Sequence, residues 1–331
     1  MYSAYITRFN DLNHEITKSL EFVNWKQQVK TDSIVFVKPN FTYPYYKEGI
    51  TTSPTLLRIL LEQLKNRADR VILGESDGGN HSFSADTAFK GHGMHQICKE
   101  TGVELVNLSK IPSRYVEESI QKKHVKVQLP NLLLDNVDCL ISAPVLKAHV
   151  MTLVSLGIKN LWGCYPDTMR GLHHKHLSHR LALITKHLRP KIILIDGTYV
   201  LTGHGPLYGE VQKNNVIIAA DNPVVSDSLG AEVMGISPTK CQHITVAEQQ
   251  GLGTMNLTQV NINKNWSEFT MPFSIKKTFV DRLAYIPFNS EILAKLIMDS
   301  PATPLIYKIA PYLKTTEEHE VSDDIKRGEK E

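Results

Sequence analysis

The chain reads as an α/β protein: a parallel-rich sheet with helices on both faces. Three observations carry that reading. Short β-branched runs alternate with stretches of helical periodicity, the connections between successive strands are long enough to hold a helix, and glycine-rich polar segments fall directly after the strands. A strand–helix–strand order implies right-handed parallel units. Ligands in such sheets sit beyond the carboxyl ends of the strands, which is where an active-site cleft is expected.

Ser33 to Lys38 (SIVFVK) is the first strand read from the pattern, broken by Pro39-Asn40. Ser53-Pro54 opens a helix, with Ser as N-cap and Pro at the first helical position. The segment TLLRILLEQLKN continues it, and Arg70 to Gly74 is the next strand. The loop Glu75-Ser-Asp-Gly-Gly-Asn-His81 follows, where Gly78-Gly79 would permit positive φ and a nest of backbone N–H groups. One helix is predicted over 84–100, closed by Gly102, then a strand over 103–107 and a hairpin or excursion within 110–130. Asp138 to Ser142 and Lys191 to Asp196 are buried strands, the latter entering a second glycine-rich loop over 197–209. Asn215 to Ala220 is a strand, Asp221-Asn-Pro223 opens a helix to about Met234, and a short helix runs from His243 to Gln250. The expected division is an N-terminal α/β lobe (1–142), a second α/β lobe carrying the Lys/His loop (143–265), a helical extension (266–314) and a disordered polar tail (315–331). Residues 277–313 are amphipathic and are the expected homodimer contact.

Bulk composition narrows the function. A net charge of +3 over 331 residues argues against a nucleic-acid surface, which needs clustered excess Lys and Arg. The cysteines (Cys98, Cys139, Cys164, Cys241) form no CxxC pair, so no intrinsic iron–sulfur cluster, zinc ribbon or disulfide scaffold is expected. No run of about 18 apolar residues is present, so no membrane span is expected. The opening residues lack a basic region followed by an apolar run, and a cytoplasmic location is the expectation.

The chemistry concentrates between Ala143 and His179. This stretch holds Lys147 and His149, the step Gly157-Ile-Lys159-Asn160, Arg170, and His173, His174, His176 and His179. Neutral imidazole is the side chain best matched to proton transfer near pH 7, so His149 is a candidate base; a core histidine bonded to backbone is the plainer reading. Lys159 suits a Schiff base, a covalent anchor or an anion clamp; the plainer reading pairs it with Glu75 or Asp196. On a helix His173 and His176 would share a face, as would His176 and His179, a spacing compatible with a divalent metal, against which stands a solvated helix start. His81, with Glu75 and Asp77, sits on the first glycine-rich loop, as either part of an anion or metal site or a capped turn. Lys38 and Asn40 end the first strand as candidate substrate ligands. Arg170 is a further clamp, and His204 is expected to face the cleft from the opposite wall. Tyr43, Tyr45 and Tyr46 are candidates for a lid.

These residues resemble the family called domain of unknown function 362. The shared pattern is Val37-Lys-Pro-Asn40, Gly74-Glu-Ser76 with Gly78-Gly79, Ala143-Pro144 with Lys147-Ala-His149, and Ser155-Leu-Gly-Ile-Lys-Asn160 with Gly163. It continues as Asp196-Gly197, Gly203-His-Gly-Pro206 with Gly209, and Asp221 with Pro223, covering roughly residues 33–235. Many relatives carry ferredoxin-type cysteine clusters, which implies redox partnership; this chain lacks them. A second, fainter likeness is to the nickel-pincer lactate racemase family, through His149, Gly157-Ile-Lys159, Pro166 and His173 or His174, with His81 upstream. That likeness implies Lys159 as cofactor anchor, His173 or His174 as metal ligand, and His81 and His149 as the acid/base pair. The chain departs from it at Asn160, at Pro166-Asp167 and at Thr52-Ser-Pro54, which has no arginine.

The expectation is an enzyme acting on a small anionic metabolite by His-mediated proton transfer, as an isomerase, epimerase, cyclase or lyase. His149 is the base, His81 or His174 the acid, Lys159 the electrophile or anchor, and Lys38, Asn40, Lys147, Asn160, Arg170 and His204 the substrate contacts. The alternatives are a redox accessory to an iron–sulfur partner and a non-catalytic anion- or cofactor-binding module.

Overall fold

The computed structural model describes residues 1–271, 275, 290–300, 303 and 316–328. In chain order the strands are β1 (Ser3–Arg8), β2 (Ile34–Pro39), β3 (Arg70–Glu75), β4 (Glu104–Asn107), β5 (Ser113–Ile120), β6 (Lys123–Pro130), β7 (Cys139–Ala143), β8 (Val145–His149), β9 (Leu153–Ser155), β10 (Ile192–Thr202), β11 (Glu210–Ala220) and β12 (Asn261–Ile262). β5 and β6 form a separate hairpin. The others make one sheet of order β12-β1-β11-β10-β7-β2-β3-β4, with β8 paired to β10 and β9 to β8. The pairs from β10 through β7, β2 and β3 to β4 are parallel, and β11 runs antiparallel to both its neighbours.

Side chains along each strand alternate between two apolar cores. Val35, Val37, Ile192 and Leu194 enter one; Phe36, Ile193, Ile195 and Ile218 enter the other. Strands covered on both faces need nearly continuous apolar runs, and SIVFVK, IILI and VIIAA supply them. Helices α1 (Leu12–Phe22), α2 (Pro54–Lys65), α3 (Ala85–Gly91) and α4 (Met94–Thr101) close the first core. After the four-residue turn α5 (Gly157–Asn160), helices α6 (Leu177–Leu188), α7 (Pro223–Val233) and α8 (Gln242–Gln249) close the second. The mostly parallel sheet flanked by helices is therefore the α/β architecture that the pattern predicts. No described helix is long and apolar enough to cross a membrane.

Several elements differ from expectation. The helix predicted over 84–100 is two helices, because Gly93 takes φ 69° and reverses the chain between them. β10 and β11 are 11 residues each. β10 pairs with β7 at Ile192 and Ile193 and with β8 from Asp196 on, and it carries a bulge against β11 between Gly197 and Tyr199. β1 and α1 lie in a stretch left unassigned by pattern reading. Strands from both halves of the chain share one sheet, so the expected boundary near residue 143 falls inside it, in the step from β7 to β8. The tail expected to be disordered from 315 contains a helix, α10 (Thr316–Gly328), which follows α9 (Glu291–Met298). Val321 and Ile325 of α10 pack beside Tyr43, Ile50 and Leu201, an apolar stripe hidden in a polar composition. Most of the expected dimer contact, 277–313, lies outside the described residues.

Candidate functional site

The ends of β2 and β3 meet in a buried ion pair. Lys38 Nζ lies 2.5 Å from Glu75 Oε2 and also donates to the carbonyl of Pro39 at 2.7 Å. Lys38 is 1% exposed and Glu75 5%, so each charge depends on the other. Glu75 further accepts the amides of Phe41 and Ser76. A Cβ at Gly163 would lie 2.5 Å from Glu75 Oε1 and 2.7 Å from Lys38 Nζ, so glycine is required where the 161–164 turn crosses the pair. Lys38 is thus engaged within the protein, and it is Lys38, not Lys159, that neutralises Glu75.

An amide network joins this pair to β7 and β8. Asn160 Nδ2 donates to the Lys38 carbonyl and to Ser142 Oγ, both at 3.1 Å, and Asn160 Oδ1 accepts from Asn40 Nδ2 at 3.1 Å. Lys147, with no exposed surface, donates to Asn40 Oδ1 (2.9 Å), Thr42 Oγ1 (3.0 Å) and the Ile50 carbonyl (2.7 Å). Burial, with Lys159 and Lys38 nearby, holds its pKa well below the usual lysine value. Asn40, Lys147 and Asn160 therefore form a scaffold whose polar groups are already paired with one another.

The turn α5 presents Lys159. Its start is gripped by Asp227 of α7, whose two carboxylate oxygens accept the amides of Gly157 at 2.8 Å and Ile158 at 2.9 Å. Asp227 is fully buried, and burial raises its pKa to about 7 even though the two amide bonds favour the carboxylate. His243 of α8 is also fully buried, 4.0 Å from Asp227, with no hydrogen bond at either ring nitrogen among the described residues. Burial drives its pKa to about 3, so it is a neutral ring. Pattern reading missed both; the signal for Asp227 was a carboxylate inside an apolar helix, which is costly unless bonded. Lys159 itself is half-buried and has neither hydrogen bond nor ion pair among the described residues. Burial, then the charges of Arg170 and Lys38, bring its pKa down to about 8.

His149 stands at the end of β8, and its Nδ1 accepts the Met151 amide at 3.1 Å. A nitrogen that accepts carries no proton, so neutral His149 holds its proton on Nε2. Burial, then Lys159, Lys147, His174 and His243, lower its pKa well below 6.5. His174 shows the opposite tautomer: Nδ1 lies 2.8 Å from the Gly171 carbonyl, so Nδ1 donates and Nε2 is the acceptor. Its pKa falls to about 4, first through burial and then through Lys159.

Other expected site residues lie elsewhere or are engaged. His81 is exposed and bonds to Thr168, 2.9 Å from Nδ1, and is not among the charges that act on His149. The φ values above zero in its loop fall on Asn80 and His81 rather than on Gly78 or Gly79. Asp77 accepts the Ala85 amide and Asn107 Nδ2, so this loop is a capped turn rather than an anion nest. Arg170 donates to the carbonyls of Tyr165, Asp167 and Asp77, clipping two loops together. His204 stacks on Tyr208 at 4.1 Å, with the Tyr208 hydroxyl 2.9 Å from its Nε2. His173 pairs with Asp167 at 3.3 Å and precedes α6, while His176 takes φ 59° as its N-cap, so the shared helix face expected for His173, His176 and His179 does not form. Tyr43 is fully buried, with its hydroxyl 2.8 Å from Asp324 of α10; it is an anchor rather than a lid.

No three His, Cys, Asp or Glu side chains converge to hold a metal ion among the described residues. His173 faces Asp167 and His174 the Gly171 carbonyl, so among the described residues the two do not share one set of metal donors. Two hollows of about 510 and 560 Å³ lie elsewhere, one by α1 and α2 and the other between α10 and residues 201–211.

Comparison with known proteins gives a lineage without a reaction. The chain is 22% identical over 260 residues to the thylakoid-associated protein sll1697 of Synechocystis sp. (strain ATCC 27184 / PCC 6803 / Kazusa), covering 76% of this chain and 75% of that one. No solved structure matches it. The family described as Domain of unknown function (DUF362) matches residues 35–232, from β2 into α7. That span takes in the Lys38–Glu75 pair, the asparagine network, the Lys159 turn and its Asp227 clamp, and the chain belongs to that family.

Proposed function

We propose that the chain is an enzyme that moves a proton at carbon in a small anionic organic substrate, with Lys159, His149 and His174 as the working groups. The observation that carries this reading is the Lys159 amine, unpartnered among the described residues. It sits in a setting where Lys38, Lys147 and Arg170 are held by internal bonds, Glu75 being ion-paired to Lys38 while Glu75, Asp167 and Asp77 act on Arg170. An ammonium without a counter-charge of its own attracts an anion, and low polarity around it strengthens the attraction.

The tautomers suggest roles for the two histidines that reverse those expected from sequence. His149 offers an N–H from Nε2 and acts as acid, whereas His174 offers the Nε2 lone pair and acts as base. A bound anion raises the pKa of both from their depressed values, moving them toward neutral pH. Asn40, Lys147 and Asn160 hold the walls, Lys38 and Arg170 contribute field rather than direct contacts, and no step is routed through a metal.

The test is solvent exchange. The protein would be incubated in D2O with a panel of small carboxylates and phosphate esters, and loss of C–H signal followed by NMR. Exchange with at least one compound, lost in His149→Asn and His174→Asn, is the expected result. Binding of an anion without exchange would favour the second reading, an anion-binding module, which the tightly paired walls would also suit.

A further inference from the structure

We propose that Lys159 captures the carbonyl carbon of a small 2-oxo carboxylate as an imine; this rests on the proton-transfer reading and supplies its electron sink. Three lysines reach this region, and two are committed. Lys38 is ion-paired to Glu75, and Lys147 donates to three oxygens. Among the described residues Lys159 has no partner, while Asp227 fixes the amides of Gly157 and Ile158 just before it, so this amine is carried on a rigid turn. At about 8, its pKa leaves a neutral fraction at pH 7 roughly 300-fold that of a lysine at 10.5.

The step balances without an oxidant. The Nζ lone pair attacks the carbonyl carbon, and the C–O π electrons move to oxygen, to which His149 Nε2–H donates a hydrogen bond and which takes a proton released by the now cationic nitrogen. Nitrogen then gives up a proton and forms the C–N π bond as the C–O bond breaks. The departing oxygen takes a second proton and leaves as water. Amine and ketone have become imine and water, with no change of oxidation state. Protonated, the imine draws electrons from the adjacent carbon, whose proton passes to His174 Nε2. The substrate carboxylate lies in the field of Arg170 and Lys38, which are not consumed.

The test uses the full chain with pyruvate and sodium cyanoborohydride, followed by proteolysis and mass mapping. The expected result is a reduced adduct on the peptide containing Lys159, on the order of tenfold above that on any exposed lysine, and faster at pH 8 than at pH 6. Labelling of Lys159 no greater than that of surface lysines would overturn the proposal. The wild-type map decides this even if a Lys159→Arg variant does not fold. Exchange in D2O without trapping would sink the imine and leave proton transfer standing. Trapping without exchange would keep the imine and sink the proton transfer.

Discussion

Asp227 holds Gly157 by a 2.8 Å hydrogen bond from the Gly157 amide to Oδ1, and a Cβ on Gly157 would lie 2.8 Å from that same oxygen. The clamp explains why the turn bearing Lys159 begins with glycine. Asp227→Ala would leave two buried amides unbonded, at a cost of about 3 kcal/mol. The expected outcome is a lower denaturation midpoint together with loss of selective labelling at Lys159. A folded variant with unchanged labelling would show that the clamp serves stability alone.

The Lys38–Glu75 pair is the second test. Glu75→Gln removes one partner of a buried pair and leaves an ammonium without its counter-charge, so about 3–5 kcal/mol of stability should be lost. Gly163→Ala should cost about 1–3 kcal/mol by pressing a methyl group onto the pair. Urea denaturation of the two variants checks both figures.

Acid should weaken the fold. His92 and His174 have pKa values lowered to about 4 and His243 to about 3, and His149 is held well below 6.5, all chiefly by burial. In each case the unfolded chain binds a proton that the folded chain refuses, so stability present above about pH 6.5 is lost as the pH falls toward 4. Asp227 has the opposite sign: raised to about 7, it favours the fold as pH falls from 7 toward 3.8. Asp196, Asp221 and Glu232 are raised like Asp227, by smaller shifts, and His179 is lowered like the other four rings, so the balance predicts a lower urea midpoint at pH 5 than at pH 7.5. An unchanged midpoint would contradict the burial of these rings.

The helix α10 should open separately from the body. Asp324 accepts from Tyr43 and from Lys47, at 2.8 and 3.0 Å, but is itself partly exposed. Asp324→Ala should therefore cost less than about 1 kcal/mol of global stability. The same change should speed proteolysis of the tail several-fold, because local opening has its own, smaller free energy. A tail as resistant as wild type would place its attachment in the Val321 and Ile325 contacts instead.

The sheet was legible because doubly covered strands must be apolar throughout, and the runs around Val35, Ile193 and Ile218 have no rival reading. β1 was not assigned, since Tyr5, Thr7 and Arg8 dilute its pattern; its place follows from antiparallel pairing with β11. The region of Lys147, His149 and Lys159 was visible as a dense polar stretch after a core strand. Which of those groups remain unpartnered was not, because that depends on bonds between distant residues. Lys38 and Glu75 lie 37 positions apart and Asp227 lies 70 from Gly157. Likewise the tail was read from average polarity, while its docking depends on Val321 and Ile325, which composition hides.

The asparagine network joins residues 120 apart in Asn40 and Asn160, 107 apart in Asn40 and Lys147, and 122 apart in Lys38 and Asn160. Contacts of such long range form slowly, because a large loop must close before any of them is made. During refolding the hairpin of β5 and β6 can close early, whereas these bonds must wait until β7 and β8 have joined the sheet. Chains caught before that step would carry native-like secondary structure and an ordinary, unselective Lys159, so the chemical distinctiveness of this one amine marks completion of folding.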